Sequence, residues 1–155
     1  VDFLKISLPV GAWILLRLIT SFCGVFGFSI MFNSPVRLAA TAAGIGAIAN
    51  TLRLEMVDMT AIPPAGAAFV GALTAGILAS LIKSKVGYPR ISLTVPSIVI
   101  MVPGMYLYRG FYNLGIMSLG PAASWFASAI LIIAALPLGL IFARILTDET
   151  FRYCT

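Results

Sequence analysis

Polar side chains gather after one proline–glycine pair in an otherwise apolar stretch of the chain. The pair is Pro103-Gly104, and the polar group that follows it consists of Tyr106, Tyr108, Arg109 and Asn113. The planar fork of an arginine matches a carboxylate at two points, and phenol and amide groups add neutral hydrogen bonds. The grouping therefore predicts a binding site for a small anion.

The backbone of the same stretch adds to this prediction. Residues 91–113 are apolar and long enough to enter a bilayer, yet they contain Pro96 and Pro103. A proline inside a helix removes a donor and frees the carbonyl four residues earlier, which for Pro103 is that of Val99. In lipid, freed groups are tolerated only beside protein or a water-filled cavity. A helix restarting after Gly104 would also point its positive end at the anion.

A second interpretation of these residues stays open. Prolines in membrane helices often produce only a kink, and tyrosine with arginine is the usual composition of a membrane–water interface. Arg109 therefore fits an interfacial anchor as well as a binding residue.

The sequence gives little support for catalysis, metal binding or disulfide bonds. Asp58 and Asp148 have no carboxylate between them, histidine is absent, and Cys23 and Cys154 lie far apart. These gaps disfavour a carboxylate pair, a Cys/His metal site and a disulfide framework. We therefore predict no enzyme activity, no metal and no cofactor.

The composition is that of a membrane protein. Of 155 residues, 61% are hydrophobic and 10% are charged, whereas soluble proteins carry about 25% charged residues. The net charge of +5 comes from basic residues that stand singly between apolar runs. This arrangement favours orientation in a lipid bilayer over nucleic-acid binding. We predict an all-α polytopic membrane helix bundle that forms a single transmembrane domain over residues 1–155.

Charge-free runs predict about five transmembrane helices, since about 20 apolar residues cross the hydrocarbon core. The fourth is expected to be broken at Pro103-Gly104, and the first to be a retained span rather than a cleaved signal peptide. The predicted helices cover residues 10–32, 36–54, 65–83, 91–112 and 122–146.

Small residues recur every four positions in several of these helices. Ala42, Gly46 and Asn50 share one face of the second helix, which lets a neighbour approach closely. Asn50 fits either a substrate contact or a hydrogen bond between helices. Similar stripes are Ala68, Ala72, Gly76 and Ser80 in the third helix and Ala135, Gly139 and Ala143 in the fifth.

The distribution of lysine and arginine predicts the orientation, because cytoplasmic loops are enriched in both. One face of the topology carries more of them than the other, which places the N-terminus outside and the C-terminus in the cytoplasm. The residues on the richer face are Arg37, Lys83, Lys85, Arg90, Arg144 and Arg152.

Two segments of the chain carry distinctive motifs: FNSPVR at 32–37, and VPSIVIMVPGMYLYRGFYNL at 95–114 with its Pro-x6-Pro-Gly pattern. Both segments resemble the threonine/serine exporter superfamily. The length and number of spans resemble the short second-half subunit of the split, two-component form. The matching motif residues are Asn33, Pro35, Arg37, Pro96, Pro103 and Gly104. Arg109 is assigned on chemistry alone.

The resemblance implies a secondary exporter of small carboxylate-bearing metabolites in a bacterial cytoplasmic (inner) membrane. The expected substrates are threonine and serine, or C4-dicarboxylates such as succinate. The expected partner is a first-half exporter subunit in a hetero-oligomer, with self-association as the alternative. Two other functions remain open: a membrane scaffold that transports nothing, and a small oligomeric channel.

Neutralising Arg109 tests the site predicted from the sequence. If Arg109 binds the substrate carboxylate, Arg109→Gln should reduce efflux of the labelled metabolite while the amount of protein in the membrane stays constant. Unchanged efflux would leave Arg109 as an interfacial anchor.

Overall fold

A computed structural model describes residues 9–148, which form six α-helices. The helices are α1 (Val10–Met31), α2 (Val36–Met59), α3 (Pro64–Val86), α4 (Arg90–Val99), α5 (Gly104–Gly115) and α6 (Leu119–Thr147). The all-α helix bundle is confirmed, and α4 and α5 are the two halves of the broken fourth helix. Lys5, Arg152 and Cys154 lie outside the described residues. The single domain over 1–155 stays a prediction.

Four stretches of the described chain are long and apolar enough to cross a membrane. They are Val10–Met31, Pro64–Val86, Arg90–Gly115 and Leu119–Thr147. Helix α2 is less apolar, yet it has more buried residues than any other helix and packs against α1, α3 and α4. Asn50 and Thr51 of α2 are buried inside the bundle.

The break at Pro103-Gly104 is confirmed. Helix α4 ends at Val99 and α5 begins at Gly104. The Val99 carbonyl, which Pro103 deprives of its helical partner, accepts a hydrogen bond of 3.2 Å from the Val102 N–H. The chain thus replaces the lost helical bond with a tight turn.

Pro96 does not break a helix, although the sequence groups it with the break. It lies inside α4, which continues to Val99. The neighbouring Ser97 hydroxyl is buried within hydrogen-bonding distance of two carbonyls, that of Leu93 (2.6 Å) and that of Ala42 on α2 (2.9 Å). The Ser97 hydroxyl thus links α4 to α2 at the residue that follows the proline.

Asn33 forms the tight connection between α1 and α2. Its φ is +57°, in the left-handed region that asparagine tolerates better than most residues. Its N–H donates to the Ile30 carbonyl at 2.9 Å. Pro35 directly precedes the first residue of α2, and the side chain of Arg37 is exposed. Three of the family-like motif residues therefore build this turn.

Helices α3 and α6 pack closely through the small-residue stripes that the sequence predicts. A Cβ atom on Gly139 of α6 would lie 2.6 Å from the Phe69 carbonyl oxygen and 2.8 Å from the Ala72 Cβ. One of the two contacts is with backbone, which cannot rotate away. The absence of a side chain at Gly139 therefore sets the distance between the two helices.

Replacing this glycine should separate α3 from α6. We expect Gly139→Ala to destabilise the bundle by about 1–3 kcal/mol, as overpacking does elsewhere. A thermal unfolding series in detergent would measure the change. Gly44→Ala is the matched control, because a Cβ there meets nothing within 4 Å. Equal stability of the two variants would contradict the close packing at Gly139.

Candidate functional site

Arg53 of α2 reaches the break between α4 and α5. Its Nη1 donates a hydrogen bond of 3.1 Å to the Met101 carbonyl, which lies in the break. Its Nε is buried and has no hydrogen-bond partner. Among residues 9–148, no carboxylate pairs with Arg53. The broken helix thus has beside it a positive charge that the described part of the chain does not neutralise.

Tight packing holds Arg53 in this position. A Cβ on Gly71 of α3 would come within 3.2 Å of both the Arg53 Cβ and the Met101 sulfur, so α3 lies directly behind the site. Met101 is fully buried, and Tyr106 packs against the same core. The Tyr106 phenol is also close enough to interact electrostatically with Arg53. Helices α2, α3 and α5 therefore all contribute to the surroundings of the guanidinium.

The nearby carboxylates belong to a separate cluster. Arg17 of α1 pairs with Glu55 of α2, Nη1 to Oε1, at 2.7 Å, and it also pairs with Asp58. The Arg17 guanidinium lies 5.6 Å from the centre of the Trp13 ring. Because Glu55 and Asp58 are engaged by Arg17, they leave Arg53 free to attract an anion from elsewhere.

The two helix ends at the break have opposite polarity. No side chain caps the first turn of α5 among the described residues, so its N–H groups present a partial positive charge. The last carbonyls of α4 present a partial negative charge. A discontinuous helix of this kind can bind a carboxylate at one end and a cationic group at the other.

Three buried polar atoms without a partner lie close together on α2. They are the Asn50 Oδ1, the Thr51 Oγ1 and the Arg53 Nε. Buried polar groups are normally hydrogen-bonded, and exceptions call for a water or a ligand. Sequence reasoning did not single out Arg53. The signal that could have identified it is its spacing, since Arg53 is three residues beyond Asn50, on the same side of α2.

The structure brings two of the sequence-predicted residues together on one ring. The guanidinium of Arg109 lies 4.8 Å from the centre of the Trp125 ring of α6. Tyr106 meets the same ring edge-on, with centroids 5.6 Å apart. Arg109 is exposed, so the Trp125 face holds its charge at the surface of the bundle.

The other residues predicted on α5 lie apart from the break. Tyr108 is exposed and stacks on Tyr112, with ring centroids 6.5 Å apart. The Nδ2 of Asn113 donates to the Arg109 carbonyl of the same helix at 2.7 Å. The structure thus packs Tyr106 against the core that contains Met101 and leaves Tyr108 exposed on α5.

Asn50 joins two helices. Its Nδ2 donates to the Ser21 hydroxyl of α1 at 2.8 Å, and both residues are buried. This contact is the interhelical bond that the sequence left as one alternative for Asn50. The turn motif of Asn33, Pro35 and Arg37 is further away, since Arg53 is 16 positions beyond Arg37 on α2, or about 24 Å along the helix.

The match to a known family covers all of these features. The model of the family described as "Threonine/Serine exporter, ThrE" matches residues 17–146. The chain belongs to this family. The matched region includes Arg53, the break and the Trp125 contacts. No curated protein and no solved structure matches the chain.

Family membership makes the chain a transport protein of the threonine/serine exporter type, which is a non-enzyme function. Together with the four apolar spans it makes the chain a multi-pass membrane protein. Among residues 9–148, no group of three histidine, cysteine, aspartate or glutamate side chains is placed to hold a metal ion.

A double-mutant cycle tests the role of Asn50. We expect Asn50→Ala and Ser21→Ala each to destabilise the protein, and the double variant to cost little more than either alone. Interhelical hydrogen bonds in membranes contribute about 0.6 kcal/mol on average and about 1.7 kcal/mol at most. Unfolding in detergent would measure the coupling. A neutral Ser21→Ala with impaired transport in Asn50→Ala would assign Asn50 to the substrate instead.

Proposed function

We propose that this chain is a subunit of a secondary exporter of small carboxylate-bearing metabolites, and that Arg53 at the break binds the carboxylate. The observation that carries the proposal is a partly buried guanidinium beside a broken membrane helix, with its Nε buried and without a hydrogen-bond partner. A charge at membrane depth is costly and usually marks a substrate pathway. The guanidinium keeps donors for a carboxylate in addition to the one bonded to Met101.

The polarity of the break fits an amino acid. A carboxylate would accept hydrogen bonds from Arg53 and lie near the uncapped first turn of α5. The α-ammonium would lie near the last carbonyls of α4, which carry partial negative charge. Threonine and serine have both groups. A C4-dicarboxylate such as succinate has a second carboxylate instead and would need a second cation.

Arg109 is the candidate for that second cation. We propose that it and the tyrosines of α5 form a later contact on the path, closer to the outer surface. Its place over Trp125 keeps the charge exposed on the same half-helix that begins at the break. Tyr108 and Asn113 lie further along α5 and would line the same route.

A second membrane subunit is part of the proposal. Glu55 and Asp58 are both occupied by Arg17, which leaves no described carboxylate at the break to couple substrate movement to a cation gradient. A first-half exporter subunit would supply such a group and further helices around α5. Self-association is the alternative. We place the complex in the bacterial inner membrane with the N-terminus outside, because the basic residues favour that orientation.

Efflux from cells preloaded with labelled threonine or labelled succinate tests the function. The chain should export only when it is expressed beside a first-half subunit, and the faster label names the substrate class. Export from the chain alone would indicate a homo-oligomeric carrier. Export of neither label in any combination would favour the scaffold alternative.

Substitutions at Arg53 test the site. We expect Arg53→Gln to reduce efflux about tenfold or more at unchanged protein abundance, because a charged two-point contact is lost. Arg53→Lys keeps the positive charge but loses the two-point geometry of the guanidinium, so its efflux should lie between that of the wild type and that of Arg53→Gln. Lys85→Gln is the control, since Lys85 is exposed at the end of α3. Wild-type efflux in Arg53→Gln would refute the assignment.

A further inference from the structure

A second polar region lies at the other end of α4, around a cavity of about 430 Å³. The end of α3, the start of α4 and the end of α6 form it. Its polar end is built from Lys83, Arg90, Arg144 and Asp148, and its apolar wall from Ile91, Val95, Leu140 and Ile141. Nothing in the transport proposal uses these residues.

The polar end has more positive than negative charge. Asp148 accepts a hydrogen bond from the Lys83 Nζ at 3.1 Å, and its other oxygen lies 3.4 Å from the Arg90 Nη1 and 3.7 Å from the Arg144 Nε. The hydrogen bond from Lys83, together with the charges of all three cations, holds the pKa of the Asp148 carboxyl below its ordinary value. Among residues 9–148, one carboxylate thus faces three cations.

The chain does not fully satisfy Arg90. Its side chain is 15% exposed, and the Nη2 is buried without a hydrogen-bond partner. The Nη1 makes only long contacts, 3.3 Å to the Thr147 hydroxyl and 3.4 Å to Asp148. A guanidinium held in this way has capacity for a further acceptor.

The start of α4 adds a positive field at the same place. Arg90 is its first residue, no side chain caps it, and its first turn contains no acidic residue. The N–H groups of such a turn attract anions, phosphate groups in particular. The cavity therefore combines three cationic side chains with a helix N-terminus.

The apolar wall indicates what kind of anion fits. Ile91 is 68% exposed, Val95 42% and Ile141 47%, and all three belong to helices that span the membrane. A small hydrophilic anion would leave this wall uncovered. A molecule with a charged head and hydrocarbon chains would cover both parts of the cavity.

We propose that this cavity binds an anionic phospholipid of the adjacent leaflet. The phosphate would lie among Lys83, Arg90 and Arg144, and the acyl chains along Ile91, Val95 and Ile141. Basic pockets between membrane helices are suited to such headgroups. The bound lipid would join α3, α4 and α6 at the end of the bundle. This site is independent of the substrate site and would exist in a scaffold as well as in an exporter.

Native mass spectrometry of the purified full-length chain tests the proposal. The protein in detergent would be titrated with phosphatidylglycerol, with phosphatidylcholine as the zwitterionic, net-neutral control and inorganic phosphate as competitor. We expect phosphatidylglycerol to bind about tenfold more tightly than phosphatidylcholine. Millimolar phosphate should not displace it, because free phosphate lacks the acyl contacts.

Substitutions at the polar end of the cavity should lower or raise phosphatidylglycerol binding, depending on the charge that they remove. Arg90→Gln combined with Arg144→Gln should lower phosphatidylglycerol binding about tenfold, whereas Lys85→Gln, which removes an exposed charge outside the cavity, should not. Asp148→Asn removes the competing carboxylate and should raise binding. This second variant keeps the proposal testable if the double variant fails to fold.

Three results would overturn the proposal. Equal affinity for phosphatidylglycerol and phosphatidylcholine would show that binding does not depend on the net charge of the headgroup. Full displacement by inorganic phosphate would reassign the cavity to a soluble phosphate-bearing ligand. Equal losses in Lys85→Gln and the double variant would reduce the effect to general surface charge.

Discussion

The hydrogen bond from Arg53 to the Met101 carbonyl is the contact on which the centre of this structure depends. A chain that interrupts a helix at membrane depth exposes backbone groups that lipid cannot satisfy. Part of the interruption closes on itself through the Val102–Val99 bond, and the Met101 carbonyl is satisfied by another helix. The break, the close approach of α3 at Gly71 and the burial of Arg53 are therefore consequences of one arrangement.

The two ends of the bundle have different ionic clusters. Toward the end of α2, one arginine of α1 holds two carboxylates, so that cluster has an excess of negative charge. At the far end of α3 and α6, one carboxylate faces three cations. The two ends of the bundle therefore differ in the sign of the excess side-chain charge in their ionic clusters.

Structural features that depend on a few neighbouring residues could be predicted from the sequence. Features that depend on which helices pack together could not. Pro103-Gly104 breaks a helix wherever it stands, and the stripe containing Gly139 implies a close neighbour. Pro96 looks equivalent to Pro103 in sequence, but it lies inside α4, and the next residue, Ser97, bonds the Ala42 carbonyl of α2. Arg53 and Arg109 also look alike as isolated cations. Only the fold shows that Arg53 lies against the backbone break and that Arg109 lies over the Trp125 ring.

The modest hydropathy of α2 bears on how the chain enters its membrane. A segment with Asn50, Arg53, Glu55 and Asp58 gains little by partitioning into lipid alone. Helix α1 is joined to it by the short turn at Asn33, and it supplies Ser21 to Asn50 and Arg17 to pair with both carboxylates. We therefore expect the two helices to insert together as one hairpin, so that biogenesis of α2 depends on polar groups carried by its neighbour.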